Sequence, residues 1–370
     1  MSIGIIGLGA MGLGIAQVFA AAGHQVRATD ANHDTRSTAR DRLCAALQSR
    51  IDKGAMTEEA RQTLLSRLTV TDRIEEIAPA EMVIEAVVER LEVKQAVFAQ
   101  LEPHLSSDAV LATNTSSLSV TAIAGTLAHP ERLLGLHFFN PAPVMRLVEL
   151  IPHAGTSPEA IRIARGFTES AGKTVIRCAD RPGFIVNRCA RPYYGEALAL
   201  LEEGRTAGEI DAAMTQAGYR LGPFALIDLI GADINLAATE SLDAAMGHHP
   251  RYHVFAALKA QVEKGALGRK AGKGFTLPHV DAMPPRDAEA IALRIEATLA
   301  NEGAWLLSEG GGTMEDIDRA VKLGLNFPRG PFEIVERHGR KTILAILSAL
   351  EENAPAYLKT RYLPAPGLAP

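Results

Sequence analysis

Cysteine is scarce in this 370-residue chain. Cys44, Cys178 and Cys189 are the three it has, too few and too scattered for a disulfide framework or a cysteine-rich zinc site. That usage implies a reducing compartment, and we expect the cytoplasm. Charge of one sign is lacking too. Lys and Arg number 38 against 43 Asp and Glu, a net −5 with histidine neutral, which argues against the basic face of a nucleic-acid binder. No clean membrane span is present. Ile3 to Gly23 has one polar side chain, Gln17, but glycines at 4, 7, 9, 12, 14 and 23 interrupt it and no basic segment precedes it. That is the pattern of a tight turn, and we expect neither a signal peptide nor a membrane partner.

Packed cores are well provided for: 47% of residues are apolar and 22% charged, the balance of a soluble globular chain. At about 150 residues per domain the length implies two or three domains. Up to Cys178, short β-rich runs alternate with longer helical ones. Ser2–Gly7, Gln25–Asp30, Met82–Ala86, Ala109–Thr113, Leu133–Phe138, Arg146–Ile151 and Thr174–Arg177 read as strands. Met11–Ala22, Asp34–Lys53, Thr57–Ser66, Glu92–Leu101 and Pro158–Ala171 read as helices. The alternation predicts an α/β domain with a mostly parallel sheet covered on both faces. After Asp180-Arg181-Pro182-Gly183 the pattern is helical, with a proline-rich linker at Leu277–Pro285 and a loose tail over Pro364–Pro370.

The helical part repeats itself. Glu196–Gly204 resembles Glu302–Gly310 at an offset of 106, Glu209-Ile210-Asp211 resembles Asp316-Ile317-Asp318 at 107, and Gly222-Pro223-Phe224 matches Gly330-Pro331-Phe332 at 108. Preserved order with a drifting offset is what small loop insertions in a duplicated domain produce. The expected organisation is a Rossmann-like dinucleotide-binding domain (residues 1–180) followed by two tandem all-α domains (181–280 and 287–366).

Gly7-Leu8-Gly9-Ala10-Met11-Gly12 follows an apolar strand directly and opens a helix. Those glycines serve a tight turn, close backbone approach to a pyrophosphate and close helix–strand packing, with the helix N-terminus facing the phosphates. Asp30 ends the second strand, 23 residues after Gly7, where a carboxylate binds the adenine ribose hydroxyls and repels a 2′-phosphate. NAD is therefore the expected cofactor, although Arg27 and Arg36 are close by in sequence.

Of eleven histidines, His137 has the context for chemistry, at the carboxyl end of an apolar strand, where open α/β sheets place their sites. Glu149, in Val148-Glu149-Leu150, is a carboxylate out of place in an apolar strand. If Asn140–Val144 makes a turn, the two strands run side by side and Glu149 comes against His137. Such a carboxylate fixes the imidazole tautomer and leaves the other nitrogen to take a proton. Asn114-Thr115-Ser116-Ser117 follows another strand, and Asn187 stands at the entry to the helical part. His249 and His253 have helical spacing, but Pro250 and the lack of neighbouring acids give no metal site.

With these motifs in order, the chain resembles the L-3-hydroxyacyl-CoA dehydrogenase family. The resemblance runs through Gly7–Gly12, Asp30, Asn114–Ser117, His137–Pro141, Glu149, Pro182–Arg188 and Gly268–Phe275. It implies NAD-dependent oxidation of 3-hydroxyacyl-CoA to 3-ketoacyl-CoA in fatty-acid β-oxidation or related acyl-CoA metabolism. His137 is then the general base, Glu149 its partner, and Ser116 and Asn187 donors to the substrate's oxygens. Gly7, Gly9, Met11, Gly12, Asp30, Glu89, Lys94 and Asn114 fall to the cofactor, and Arg50 and Lys53 to CoA. The second helical copy resembles the dehydrogenase half of multifunctional fatty-acid oxidation proteins. In it Arg188 maps to Arg294 but Asn187 maps to Leu293, so that copy is expected to be structural, and the chain a monomer or homodimer. Two rival readings stand beside this one. A 3-hydroxyisobutyrate-type dehydrogenase would need a catalytic lysine, for which Lys173 is the candidate. A non-catalytic NAD-binding protein of the same fold is the other.

Overall fold

Mostly apolar runs of three to six residues, the central ones buried along nearly their whole length, build the first half of the chain into one sheet. The strands are β1 (Ser2–Ile6), β2 (Gln25–Thr29), β3 (Leu68–Val70), β4 (Met82–Glu85), β5 (Val110–Thr113), β6 (Leu133–Phe138), β7 (Leu147–Pro152) and β8 (Thr174–Arg177), in the spatial order β3-β2-β1-β4-β5-β6-β7-β8. All neighbours are parallel except β6 and β7. Continuous rather than alternating hydrophobicity is what a sheet covered on both faces demands. Its covering helices are α1 (Ala10–Ala21), α2 (His33–Ser37), α3 (Ala39–Asp52), α4 (Glu58–Ser66), α5 (Leu91–Leu101), α6 (Val120–Ala124) and α7 (Pro158–Ser170). Ile3, Ile5, Met82, Ile84, Leu134 and Leu136 are fully buried between the layers, each worth about 1.5–3 kcal/mol of apolar burial.

The computed structural model describes residues 2–278 and 282–368, and the chain divides into two units, Met1–Asp180 and Arg181–Pro370. The sequence reading missed β3 and α6, each too short to show a period. The single helix expected over 34–53 is two, because the Thr38 hydroxyl turns back to the Asp34 carbonyl (2.6 Å) and α3 starts afresh after it. The β1–β4 junction is where the chain order reverses, the place where such sheets bind ligands.

The second unit comprises α8 (Val186–Glu202), α9 (Ala207–Gln216), α10 (Pro223–Ile230), α11 (Ala232–Ala245), α12 (Ala256–Glu263), α13 (Ala288–Ser308), α14 (Met314–Leu325), α15 (Pro331–His338) and α16 (Arg340–Asn353). The repeated Gly-Pro-Phe turns have one physical cause. Asp211 accepts the N–H groups of Phe224 and Ala225 at the start of α10, and Asp318 those of Phe332 and Glu333 at the start of α15. The carboxylate satisfies the free donors of the helix terminus, the proline sits where no donor is needed, and glycine makes room. A Cβ on Gly222 or Gly330 would lie 2.4 Å from the Cα of Asp211 or Asp318. Burial pushes the two carboxyls up, to about 7 and about 6, against the pull of those N–H donors.

The copies also exchange ion pairs reciprocally. Arg188 reaches Glu302 (2.6 Å) and Glu309 (2.7 Å) of the second copy, while Arg294, its counterpart, reaches Glu196 (2.7 Å) and Glu203 (2.6 Å) of the first. Tyr252 donates to Glu302 and Tyr362 to Glu196. Residue i meeting j′ while i′ meets j is the signature of an isologous, two-fold contact, here made within one chain. Pairing is what makes these buried charges tolerable.

The tail expected to be loose is docked over its described part. Ala365 and Leu368 are buried, the Ala365 N–H donates to Asn301 (2.8 Å) and Arg340 donates to the Leu368 carbonyl (2.8 Å). Burial of apolar residues between the prolines outweighed their disordering effect. Of the expected 277–285 linker, residues 279–281 lie outside the described residues, as do 369–370 of the tail.

Candidate active site

The glycine loop takes the shape its spacing implies. Gly7 has φ +96°, and a Cβ there would lie 2.5 Å from the Ala86 carbonyl oxygen; a Cβ on Gly12 would lie 1.8 Å from the Gly7 carbonyl oxygen. Neither position admits another residue. Gly9 is different: a Cβ there meets no atom of the chain within 4 Å. It caps α1, so an added methyl would project over the free N–H groups of the first turn, where a diphosphate is held. Asp30 completes the cradle, accepting from the N–H of Leu8 (2.7 Å) and of Asn32 (2.8 Å). Two bonds leave a carboxylate with acceptor capacity for ribose hydroxyls. Glycine loop, helix terminus and acid together fit NAD. Met11 is the second residue of the same helix, half-buried.

A buried charge network underlies the next loops. Glu85, fully buried at the end of β4, accepts from Lys94 (2.7 Å), from Thr113 at the end of β5 (2.7 Å) and from the Val87 N–H (2.7 Å). Lys94, itself 1% exposed, also lies 3.2 Å from Glu89. Glu89 in turn gathers the 115–117 loop: it accepts from the Thr115 hydroxyl (2.7 Å) and from the N–H groups of Ser116 (2.8 Å) and Ser117 (3.1 Å). Burial raises the Glu89 carboxyl, but the Lys94 ammonium and the Thr115 and Ser116 donors outweigh it and hold the group below the usual range. Lys94, Glu89 and Ser116, which the resemblance divides between cofactor and substrate, are thus one hydrogen-bonded unit.

The third element is the pair that the strand reading put together. β6 and β7 are antiparallel, and His137 faces Glu149 directly in the register. Nδ1–H of His137 donates to Glu149 at 2.7 Å, with the carboxylate fully buried and the histidine 6% exposed. Phe139 stacks obliquely on the imidazole, ring centroids 4.4 Å apart. Asn114 ties this strand to the previous loop by accepting the Phe138 N–H (2.9 Å). With Nδ1–H committed to a carboxylate, the neutral ring presents Nε2 as an acceptor.

Arg50, Lys53 and Lys173 stand apart from this cluster. Arg50 and Lys53 are exposed at the far end of α3, and no hydrogen bond or ion pair links them to it. Asn187 belongs to the second unit, in the first turn of α8. Lys173 is committed elsewhere: its ammonium is bound by the carbonyls of Ala142 (2.5 Å) and Met145 (2.8 Å) and bridles the turn after β6. Two residues were missed. Glu85 carried the same signal that picked out Glu149, a carboxylate closing an apolar strand. Asp180, at the point where the sequence pattern turns helical, accepts from Ser119, Val120 and Thr121 and so caps α6.

A dinucleotide cradle at the sheet's crossover, with a buried imidazole–carboxylate pair at the carboxyl end of a nearby strand, defines a nicotinamide-dependent dehydrogenase. Comparison with known proteins narrows the class. Residues 2–181 match the model of the 3-hydroxyacyl-CoA dehydrogenase NAD binding domain, and residues 183–277 and 291–366 match that of the 3-hydroxyacyl-CoA dehydrogenase C-terminal domain. The chain belongs to the 3-hydroxyacyl-CoA dehydrogenase family: an oxidoreductase with NAD as cofactor. It is 46% identical over 275 residues to the 3-hydroxyadipyl-CoA dehydrogenase of Escherichia coli K12, a match covering 74% of this chain and 58% of that protein. The crystal structure of 3-hydroxybutyryl-CoA dehydrogenase from Escherichia coli K12 superimposes with a TM-score of 0.92 at 34% identity, over 100% of this chain and 97% of the other. The dehydrogenase part of multifunctional enzyme 1 from C. elegans matches with a TM-score of 0.67 at 25% identity, over 99% and 88%. Among the described residues no helix is long and apolar enough to cross a membrane.

Proposed function

We propose that this chain oxidises short 3-hydroxyacyl-CoA thioesters to 3-ketoacyl-CoA, with His137 as general base. The observation that carries the proposal is the 2.7 Å bond from His137 Nδ1 to the buried Glu149. The Nε2 atom takes the proton of the substrate's 3-hydroxyl as the C3–O bond gains double-bond character. Glu149 holds the tautomer and stabilises the imidazolium that results. NAD, when bound, supplies the acceptor for the hydride leaving C3. Gly7, Gly9, Met11, Gly12 and Asp30 are the residues proposed to hold it.

Ser116 is proposed to donate to the reacting oxygen, its loop positioned through Glu89 and Lys94, and Asn187 to orient the thioester carbonyl. Neutral donors suit both tasks: the C3 oxygen gains partial negative charge as its proton leaves, and the thioester carbonyl needs only to be oriented. The relatives named for 3-hydroxyadipyl- and 3-hydroxybutyryl-CoA support a short acyl chain. A lysine-based hydroxy-acid mechanism is not favoured, because two backbone carbonyls already hold Lys173.

The test is His137→Gln assayed with 3-hydroxybutyryl-CoA. NADH formation should fall by about 10²–10⁴ while NAD affinity stays within about twofold, since no cradle atom is touched. A variant turning over at the wild-type rate would remove His137 from the chemistry.

A further inference from the structure

One helical turn after Asn187, α8 carries a buried arginine with no acid partner. Arg191 is 8% exposed. Its Nε donates to the Asn187 carbonyl (3.1 Å), and its Nη1 to the Asn235 carbonyl (3.4 Å) and the Thr239 hydroxyl (2.9 Å). Its guanidinium stands over the Tyr194 ring, 5.0 Å from the centroid. Nη2 makes no hydrogen bond, and among the described residues no carboxylate lies within 4.0 Å of the group. Among the described residues, the other buried arginines of this unit, Arg188 and Arg361, each have a glutamate. Burial draws the Arg191 guanidinium down from its ordinary range, yet an arginine stays protonated.

The neighbour that accepts from it is also incomplete. Asn235, on α11, is 2% exposed, and neither its amide nitrogen nor its amide oxygen has a partner. A buried amide without partners is costly to the fold, and so is a buried cation without an acid. The Arg191 guanidinium, joined to Asn235 through that residue's backbone carbonyl, and the Asn235 amide supply a charged and a neutral N–H donor of the kind that binds a carboxylate.

We infer that Arg191 and Asn235 receive the distal carboxylate of the acyl chain, so that the preferred substrate is the CoA thioester of a 3-hydroxy dicarboxylic acid. The inference rests on the proposed role of Asn187 at the thioester. Arg191 lies four residues on in the same helix, about 6 Å along its axis, and an extended chain of about six carbons spans about 6 Å. A chain ending in a methyl group gains nothing from a cation and leaves it unpaired, which is how a polar site rejects an apolar analogue.

The experiment compares kcat/KM for 3-hydroxyadipyl-CoA, its distal methyl ester and 3-hydroxyhexanoyl-CoA in the wild-type protein, Arg191→Met and Asn235→Leu. Wild type should favour the diacid over both uncharged esters by about 10²–10³. In Arg191→Met that ratio should collapse to within about threefold of one, and in Asn235→Leu it should fall about tenfold. A wild-type ratio near one overturns the inference, and that result needs no variant to fold. An equal loss on all three esters in Arg191→Met also overturns it, because the cation then serves a phosphate of CoA or only the packing of α11. Failure of the wild-type protein to oxidise any of the three would instead strike the general-base reading, a separate result.

Discussion

Replacing Glu149 by glutamine removes one negative charge and almost no volume from a site with no room for rearrangement. The carboxylate is fully buried and 2.7 Å from His137 Nδ1. As His137 takes the hydroxyl proton it becomes an imidazolium facing that carboxylate. At about 4 Å between charge centres and an effective dielectric constant of about 20, their attraction is about 4 kcal/mol. That stabilisation exists in the transition state and is absent for the neutral ring, so its loss appears in kcat, at about tenfold per 1.4 kcal/mol. A second effect has the same sign. The amide N–H₂ can present itself to Nδ1 and so stabilise the tautomer with the proton on Nε2, which cannot act as a base. We expect kcat to fall by about 10²–10³, with NAD affinity and the KM for the hydroxyacyl ester within about threefold. Steady-state absorbance of NADH over a range of both substrates measures all three. A kcat within a factor of about three of wild type would refute the electrostatic reasoning, whatever the histidine does.

Other perturbations follow from the same contacts. Gly9→Ala should fold with an unchanged melting temperature, because its Cβ meets nothing in the chain, yet lose NAD affinity by about tenfold or more by titration. Gly12→Ala should fail on both counts, its Cβ lying 1.8 Å from the Gly7 carbonyl oxygen. Lys94→Met leaves Glu85 and Glu89 facing each other without their cation. We expect a loss of about 3–5 kcal/mol and a melting point about 10 °C lower for the first unit by calorimetry. In the second unit the Arg188 guanidinium, hydrogen-bonded to Glu309, holds that carboxyl below the usual range against the opposing effect of burial. Its folded value lies below its unfolded one of about 4.3, so the stabilisation is complete above that pH and is lost as pH falls through the folded value. Glu309→Gln should therefore flatten the acid side of the denaturant-stability curve and change its neutral side by a constant amount.

Residue order alone determined more of this protein than most chains allow. The glycine loop and Asp30 are local devices: a turn with φ +96° at Gly7, a helix start and a strand end, all within one βαβ unit whose sterics admit few alternatives. His137 and Glu149 were legible as a pair because strand pleating has a fixed period, so a tight turn between two apolar strands dictates which residues face each other. The duplication was legible because Gly-Pro-Phe recurs wherever an aspartate caps the following helix. What the tertiary structure alone decided is how charges far apart in sequence are matched. Glu85 needed Lys94 and Thr113, Arg188 needed Glu302 and Glu309, and Arg191 was left without an acid. Charge carries no period and no local geometry. Its partner is chosen by which elements the apolar cores bring together, and a buried ion that finds none shows itself only once the chain is folded.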